Sequence, residues 1–391
     1  MLKQFQKALN QKDIWSSSQN NVLTLISLLS FLLPTQLALH VNSLQSTVYG
    51  FRIDYLIPTL YLTDIIIMVI IAVWLYGRKL KFTKMNYVLS IMYIGIAFLN
   101  IHNSSFIIPA IYKWFKVTEM LLLGIIIFNT KKFDIFKHFV KPLSYSIVIA
   151  CILGIWQFLI KSSVGGLFYW LGERNFVFTD PNIAPYPYSF FSHPNSFAGF
   201  LLVFGIFLLQ YERELRYKSK FKYKYFWLLV VLVSINLILT NSLNVYLTIG
   251  ILALLKFPKI INSSLIIINW SDRFITHRIE LIQASLRMIK ENFFFGVGLN
   301  NFIPNLVKVS NNFVNSWELQ PVHNIFLLVF SETGIIGLYA LCLMLYGSLT
   351  AYSLPLIAIL ITGLSDHYWL TLQQNMLLFT YVLVINHKRR I

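Results

Sequence analysis

The side chains able to do polar chemistry in this chain are few, and several of them gather in one stretch. Residues 271–322 make the longest polar segment between apolar runs; they hold Arg278 and Arg287 and lead directly into His323 and Asn324. A guanidinium offers a planar, permanently charged fork that suits diphosphate oxygens. A neutral imidazole near it can take a proton from a hydroxyl group. Taken singly, Arg278 fits a lipid-headgroup contact or a surface salt bridge at least as well, and His323 fits hydrogen bonding at a helix start. Two further cations, Lys113 and Lys116, lie within an apolar run together with Glu119. Charges in hydrocarbon face a cavity or a partner, and Lys116 and Glu119, three residues apart on one helix face, can neutralise each other. His193 and Asn195 flank Pro194 at the start of another apolar run, a pattern that serves ordinary helix capping as well as a polar site. Glu332 reads as a structural pairing group, and the adjacent Asp366 and His367, which would point about 100° apart on a helix, read as an interfacial pair.

The elements that must position these groups follow from composition. The chain has 391 residues, of which 57% are hydrophobic, 16% aromatic and only 12% charged, with a mean hydropathy of +0.66. A soluble domain is about one quarter charged, and this much apolar surface needs a bilayer as solvent. The expected fold is therefore an all-α polytopic membrane protein, a single integral membrane domain over 1–391. Apolar runs of spanning or near-spanning length fall near 22–39, 55–76, 87–101, 106–128, 142–161, 196–210, 226–240, 245–256, 259–270, 324–347, 352–365 and 372–386, about twelve spans. Cys151 and Cys342, far apart in apolar stretches, fit buried thiols, and no Cys or His cluster has metal spacing. No internal repeat and no phosphate-binding glycine loop stands out.

The net charge of +17 leaves nucleic acid, an anionic membrane face and an anionic substrate open. Placing both termini in the cytoplasm puts most of the 32 basic residues on that side, in the N-terminal segment, the GRKLKFTK and RELRYKSKFKYK loops, the segments around 131–141 and 256–259, and the C-terminus. That bias obeys the positive-inside rule and leaves nucleic acid unsupported. Outside remain Arg52, Lys161, Arg174, Arg273, Arg278, Arg287, Lys290 and Lys308, five of them in 271–322. This segment is expected to be an exported loop between the ninth and tenth spans. Ser271 or Asp272 can cap a helix in it whose apolar residues Ile275, Ile279, Ile282, Leu286, Ile289 and Phe293 recur at intervals of three and four. That stripe is expected to rest on the membrane or on the roof of the bundle, and the helix is expected to break at the glycines of FFFGVGLNNF.

The run HRIELIQASLRMIKENFFFGVGLNNF, followed by PVHNIFLLVFSETGIIGL, resembles the exported-loop signature of the O-antigen ligase and polymerase family. SHPNSFAGFLL resembles an earlier segment of that family and SDHYWLTLQQNMLLF its final span. Together these elements cover roughly the last half of the chain. The resemblance implies a metal-independent, inverting glycosyltransferase of the GT-C type in the bacterial cytoplasmic membrane, without cofactor. Such a protein passes a preassembled glycan from an undecaprenyl-diphosphate carrier to an acceptor hydroxyl on the outer face. The acceptor would be a lipid, core sugar, protein or glycan. A polymerase acting on carrier-linked repeats is the alternative within the family, and a lipid-linked glycan transporter the alternative outside it.

By motif position, the resemblance implies that Arg278 holds the diphosphate leaving group and that His323 orients or deprotonates the acceptor. It makes His193, Asn195 and Asn324 substrate-binding candidates. The pattern departs from the family at Leu243, where a second phosphate-binding arginine is expected, at Ile282 and at Phe293. Lys113, Lys116 and Arg287 are the candidates to replace the missing cation.

Overall fold

The computed structural model describes residues 18–77, 84–176, 186–217, 222–256, 272–309, 318–349 and 353–390. The expected ninth span, 259–270, lies outside the described residues, as do the N-terminal basic segment and parts of both basic loops. The described chain is predominantly helical. In order, its helices are α1 (18–32), α2 (Leu62–Tyr76), α3 (Lys84–His102), α4 (Ile107–Asn129), α5 (Lys141–Ile160), α6 (Leu167–Trp170), α7 (Pro194–Gln210), α8 (Glu212–Tyr217), α9 (Lys222–Leu239), α10 (Leu243–Lys256), α11 (Asp272–Glu291), α12 (Phe302–Val309), α13 (Ile325–Ser348), α14 (Leu354–Gly363), α15 (Tyr368–Thr371) and α16 (Gln373–Arg390). Between α1 and α2 lie two short antiparallel strand pairs, Ala38–His40 with Thr59–Tyr61 and Thr47–Val48 with Phe51–Arg52.

Two helical stretches, Phe136–Ile160 and Ile325–Ser348, are long and apolar enough to cross a bilayer by length and composition. Six shorter apolar helices accompany them. The other long helix of the bundle, α4, carries Lys113, Lys116 and Glu119, which lower its apolar character. Many large apolar side chains on these helices face outward, among them Ile91, Ile94 and Phe98 of α3 and Leu159 of α5. Cys151 is buried, but Cys342 is exposed, because it lies on the outward side of α13.

The chain builds two apolar cores. The larger joins α1, α2, α4, α5, α7, α9, α13, α14 and α16. Its densest part is aromatic, with Phe139 stacked on Tyr381 at 4.6 Å between ring centroids and edge-on to Phe207. The smaller core forms a roof at one end of the bundle. Val48, Ile53 and Leu56 of the first loop meet Leu281, Ala284 and Met288 of α11, Phe302, Ile303 and Leu306 of α12, and Leu328 of α13. Burying such side chains contributes on the order of 1.5–3 kcal/mol each, so the roof is a packed layer with its own stability.

Helix α11 forms where the periodicity places it, and of the two placements expected for its stripe, membrane or roof, the stripe faces outward except at Ile289. Ile279, Ile282, Leu286 and Phe293 are exposed, while Leu281, Ala284, Ser285, Met288 and Ile289 are buried against the roof. The helix carries two apolar faces. The one rich in small residues accommodates close packing against α12 and α13, which leaves the bulkier isoleucine face outward, as a helix lying at a membrane interface requires.

Candidate functional site

The roof is held to the bundle by a junction between the FFFGVG turn after α11 and the SETG segment inside α13. Val297 N donates to Ser331 O at 2.9 Å, Gly298 N to Glu332 O at 3.0 Å and Ile335 N to Phe293 O at 2.8 Å. The two backbones lie so close that a Cβ on Gly296 would strike the Glu332–Thr333 peptide, and one on Gly334 the Phe294–Phe295 peptide. Gly334 also sits at φ 67° and ψ −168°, inside α13, a conformation essentially confined to glycine. The two motifs are thus the two halves of one structural clasp. Asn100 of α3 locks it, its amide donating to Phe295 O and Glu332 O while its carbonyl oxygen accepts from Leu299 N and Trp114 Nε1. Glu332 serves as a structural group: its Oε1 accepts from Phe302 N at the start of α12, and its carboxylate lies within electrostatic reach of Lys113.

The clasp fixes where α13 begins, and with it His323 and Asn324. Asn324 is the N-cap of α13: its Oδ1 accepts from Phe326 N and Leu327 N, and its amide donates to Leu364 O at 3.0 Å. That last bond ties the α13 start to the loop between α14 and α15. The loop contributes Ser365, Asp366 and His367. The His367 ring lies 5.1 Å from that of His323 between centroids and edge-on to Tyr55 at 5.5 Å. Its Nδ1 is 2.9 Å from Thr371 Oγ1. Arg278 reaches the same loop from α11, its Nη1 donating to Ser365 O at 3.0 Å.

Four segments distant in sequence therefore converge at one end of the bundle. They are the first loop with Tyr55, α11 with Arg278, the α13 start with His323, and the α14–α15 loop with Asp366 and His367. His193, the N-cap of α7, accepts from Asn195 N at 3.1 Å and lies within electrostatic reach of Asp366, Arg174 and Arg278. Burial, together with the neighbouring His367, Arg278, His277 and His193, holds His323 well below the ordinary histidine range. His367 is pushed down to about 4, first by burial, with Asp366 opposing. Both imidazoles are accordingly neutral near pH 7, and the Nδ1 of His323 is buried without a hydrogen bond among the described residues. A neutral imidazole with an uncommitted nitrogen, next to a guanidinium, is an arrangement able to accept a proton beside an anionic group. Among the described residues no three His, Cys, Asp or Glu side chains form a metal-holding group.

The other candidates part company. Arg287 points away, its Nη1 donating to Val309 O at 2.7 Å on an exposed face. Lys116 is enclosed in the bundle, bonded to Asp64 of α2 and 3.6 Å from Glu119. Asp64 in turn accepts from Gln373 Nε2 and Tyr61 N. Lys113, one helical turn nearer the roof, has its Nζ 3.4 Å from Met376 Sδ and is electrostatically felt by His367. Leu243 opens α10, whose Asn244 donates to Thr362 O just before the α14–α15 loop. The position without its arginine thus lies at the site's end of the bundle. The sequence reading passed over Asp366 and His367 as an interfacial pair, although SDH heads the final apolar run, and gave no role to Tyr55 or Arg174, whose loops are distant in sequence.

With this geometry in view, comparison with known proteins shows what part of the chain is similar to a known family. Residues 194–342 match the family described as O-antigen ligase. The match runs from the α7 start through the clasp to α13, and it includes Asn195, Arg278, His323 and Asn324 but stops before Asp366 and His367. Among curated proteins none matches the chain significantly.

Proposed function

We propose that the protein is an O-antigen ligase-like glycosyltransferase of the bacterial cytoplasmic membrane. It would move a preassembled glycan from undecaprenyl diphosphate to an acceptor hydroxyl on the outer face, by an inverting, metal-independent route on a GT-C-like scaffold of about twelve spans. The observation that carries this reading is the meeting of His323 and Arg278 at the bundle roof, within the matched region. Residues 271–322, with α11 and α12, then form the exported loop that covers the site, with both termini cytoplasmic.

In this reading the acceptor hydroxyl docks against His323, whose suppressed basicity keeps it unprotonated and ready to receive the proton as the glycosidic bond forms. The anomeric bond to the carrier breaks on the opposite face, and the diphosphate departs with its charge countered by Arg278. Countering leaving-group charge in a water-poor site is worth several kcal/mol of barrier, as for other preorganised charge-stabilising groups. His193 and Asn195 at the α7 start and Asn324 at the α13 start line the same opening, and Lys113 supplies the second cation that Leu243 does not. Arg278 already hydrogen-bonds Ser365 O, so its fork is oriented before the donor arrives.

The test is transfer by purified protein in detergent with a carrier-linked glycan and a panel of acceptors. Attachment of a whole glycan to a lipid, core sugar or protein acceptor supports the ligase form, and elongation of carrier-linked repeats the polymerase form. Failure with every acceptor, alongside movement of the donor across vesicles, contradicts transfer and favours transport.

A further inference from the structure

The two imidazoles that meet at the roof are held very differently. The buried Nδ1 of His323 makes no hydrogen bond among the described residues, and its ring lies against that of His367, tilted by 56° with 5.1 Å between centroids. His367, by contrast, is clamped. Its Nδ1 lies 2.9 Å from Thr371 Oγ1, and that hydroxyl also lies 3.2 Å from His367 O. A hydroxyl has one proton, so both contacts are satisfied when it donates to the carbonyl and accepts from Nδ1–H. That arrangement selects one tautomer and leaves the lone pair on Nε2. Tyr55 of the first loop closes on the ring edge-on, at 82° and 5.5 Å. The backbone is held as well, with His367 N donating to Asp366 Oδ1 at 2.8 Å.

We propose that His367 is a positioning residue for the transfer, its clamped ring setting the angle at which the His323 imidazole meets the acceptor hydroxyl. The inference rests on the transferase reading, to which it adds the group that aims the base. A working side chain is held in its productive geometry by the packing and hydrogen bonds of its neighbours, and Thr371, Tyr55 and Asp366 give His367 that rigidity. The ring contact also falls where two segments are already joined, since Asn324 beside His323 donates to Leu364 O of the loop that carries His367. Charge points the same way. His323 becomes an imidazolium when it takes the acceptor's proton, and a second imidazolium against it would oppose that step. The groups facing His367 are Asp366 on its own loop, His193 at the α7 start, Arg278 on α11 and Lys113 on α4, besides the His323 and Tyr55 rings. His323 is faced by Arg278, His277 and His193 as well as His367. Burial, with His193, Arg278 and Lys113, outweighs Asp366 and keeps His367 neutral near pH 7. The neighbour of the base is therefore rigid and uncharged.

The experiment uses full-length protein in detergent and reads two quantities. The first is single-turnover transfer from a carrier-linked glycan, counted per molecule that binds donor. His367→Ala should slow it about 10²-fold, the scale of a misplaced reacting group. His367→Phe keeps a ring between His323 and Tyr55 and should recover the rate to within about tenfold of wild type. Thr371→Val releases the clamp but leaves the imidazole, and should cost about three- to tenfold. The second quantity is the titration of His323 itself, followed by diethyl pyrocarbonate labelling against pH and mapped by mass spectrometry. His367 is among the groups that hold His323 down, so His367→Phe should move that midpoint up toward 6.5, a shift that loss of packing elsewhere does not produce. Transfer by His367→Ala at the wild-type rate, or an unmoved midpoint in His367→Phe, overturns the inference and leaves the transferase reading standing. A moved midpoint in a protein that transfers to no acceptor supports the coupling of the two rings and sinks the transferase reading instead. Where His367→Ala fails to fold, Thr371→Val and His367→Phe decide the matter on the same two readouts.

Discussion

Two clusters of charged residues sit away from bulk water in this protein, and they are built on opposite plans. In the bundle, Lys116 lies between Asp64 and Glu119, and Asp64 is further held by Gln373 and the Tyr61 amide. All three side chains are buried. At the roof, Arg278 reaches a backbone carbonyl, His323 is half-buried with a nitrogen that bonds nothing among the described residues, and Asp366, Arg278 and Lys113 all lie within electrostatic reach of His367. The first cluster consumes its charges in joining α2, α4 and α16. The second sets a neutral base beside positive charge. A charge in a membrane domain is a functional candidate by default, but what separates the two cases here is the neutral imidazole beside the charge rather than burial.

The comparison can be broken most readily at the roof. His323→Ala should reduce transfer by about 10²–10⁴-fold, the usual contribution of a positioned proton acceptor, with thermal stability and donor binding near wild type, measured by glycan transfer and by lipid binding in the same preparation. Arg278→Lys should lose most activity too, since an ammonium cannot reproduce the planar fork.

In the bundle the pattern should invert. Lys116→Met strands two buried carboxylates, and breaking a buried pair costs about 3–5 kcal/mol. The expected result is a large drop in thermal midpoint and in yield, while the fraction that folds keeps its KM for donor. Loss of turnover at unchanged stability would move Lys116 into the site. Gly334→Ala probes the clasp between the two regions. The backbone conformation alone costs about 1–3 kcal/mol for a residue with a side chain, and the clash with the Phe294–Phe295 peptide adds to it, so stability and activity should fall together.

The pH dependence gives a smaller but diagnostic effect. His323 and His367 are held below their ordinary value of 6.5, so both bind protons more readily when unfolded. Stability attached to them is present above pH 6.5 and is lost as pH falls from 6.5 toward the folded values, about 4 for His367. The acid limb of transfer should accordingly lie below pH 6.5, and a midpoint at or above 6.5 would remove the buried-imidazole account. Arg287→Ala should have the least effect, within about 0.5 kcal/mol on stability as for other exposed positions, with little change in transfer rate.

Much of this organisation was legible in the sequence because it rests on local signals. Charge bias along the chain and the apolar runs carry the helical membrane character, and the HN and ETG motifs lie within the stretch that is similar to the O-antigen ligase family. The position of α11 followed from its periodicity, but its packing face did not. A helix with two apolar faces gives no local sign of which one meets the roof, and the answer depends on Phe302 and Leu306 arriving from α12. Lys116 and Glu119 looked self-sufficient as a pair three residues apart; Asp64, more than fifty residues earlier, was invisible as their third member. His367 was passed over for the same reason. Its significance lies in a ring contact with His323 across 44 residues, which neither adjacency to Asp366 nor its place at the head of the final apolar run reveals. Asn100 joins α3 to both halves of the clasp through hydrogen bonds that no spacing rule anticipates.

The central claim is that His323 accepts the acceptor's proton while Arg278 stabilises the departing diphosphate. Its most direct test is single-turnover transfer by purified wild type, His323→Ala and Arg278→Lys with one defined undecaprenyl-diphosphate glycan and a competent acceptor. The account predicts transfer by wild type, a rate about 10²–10⁴-fold lower for His323→Ala despite donor binding, and a strongly reduced rate for Arg278→Lys. Wild-type rates in either variant would contradict it.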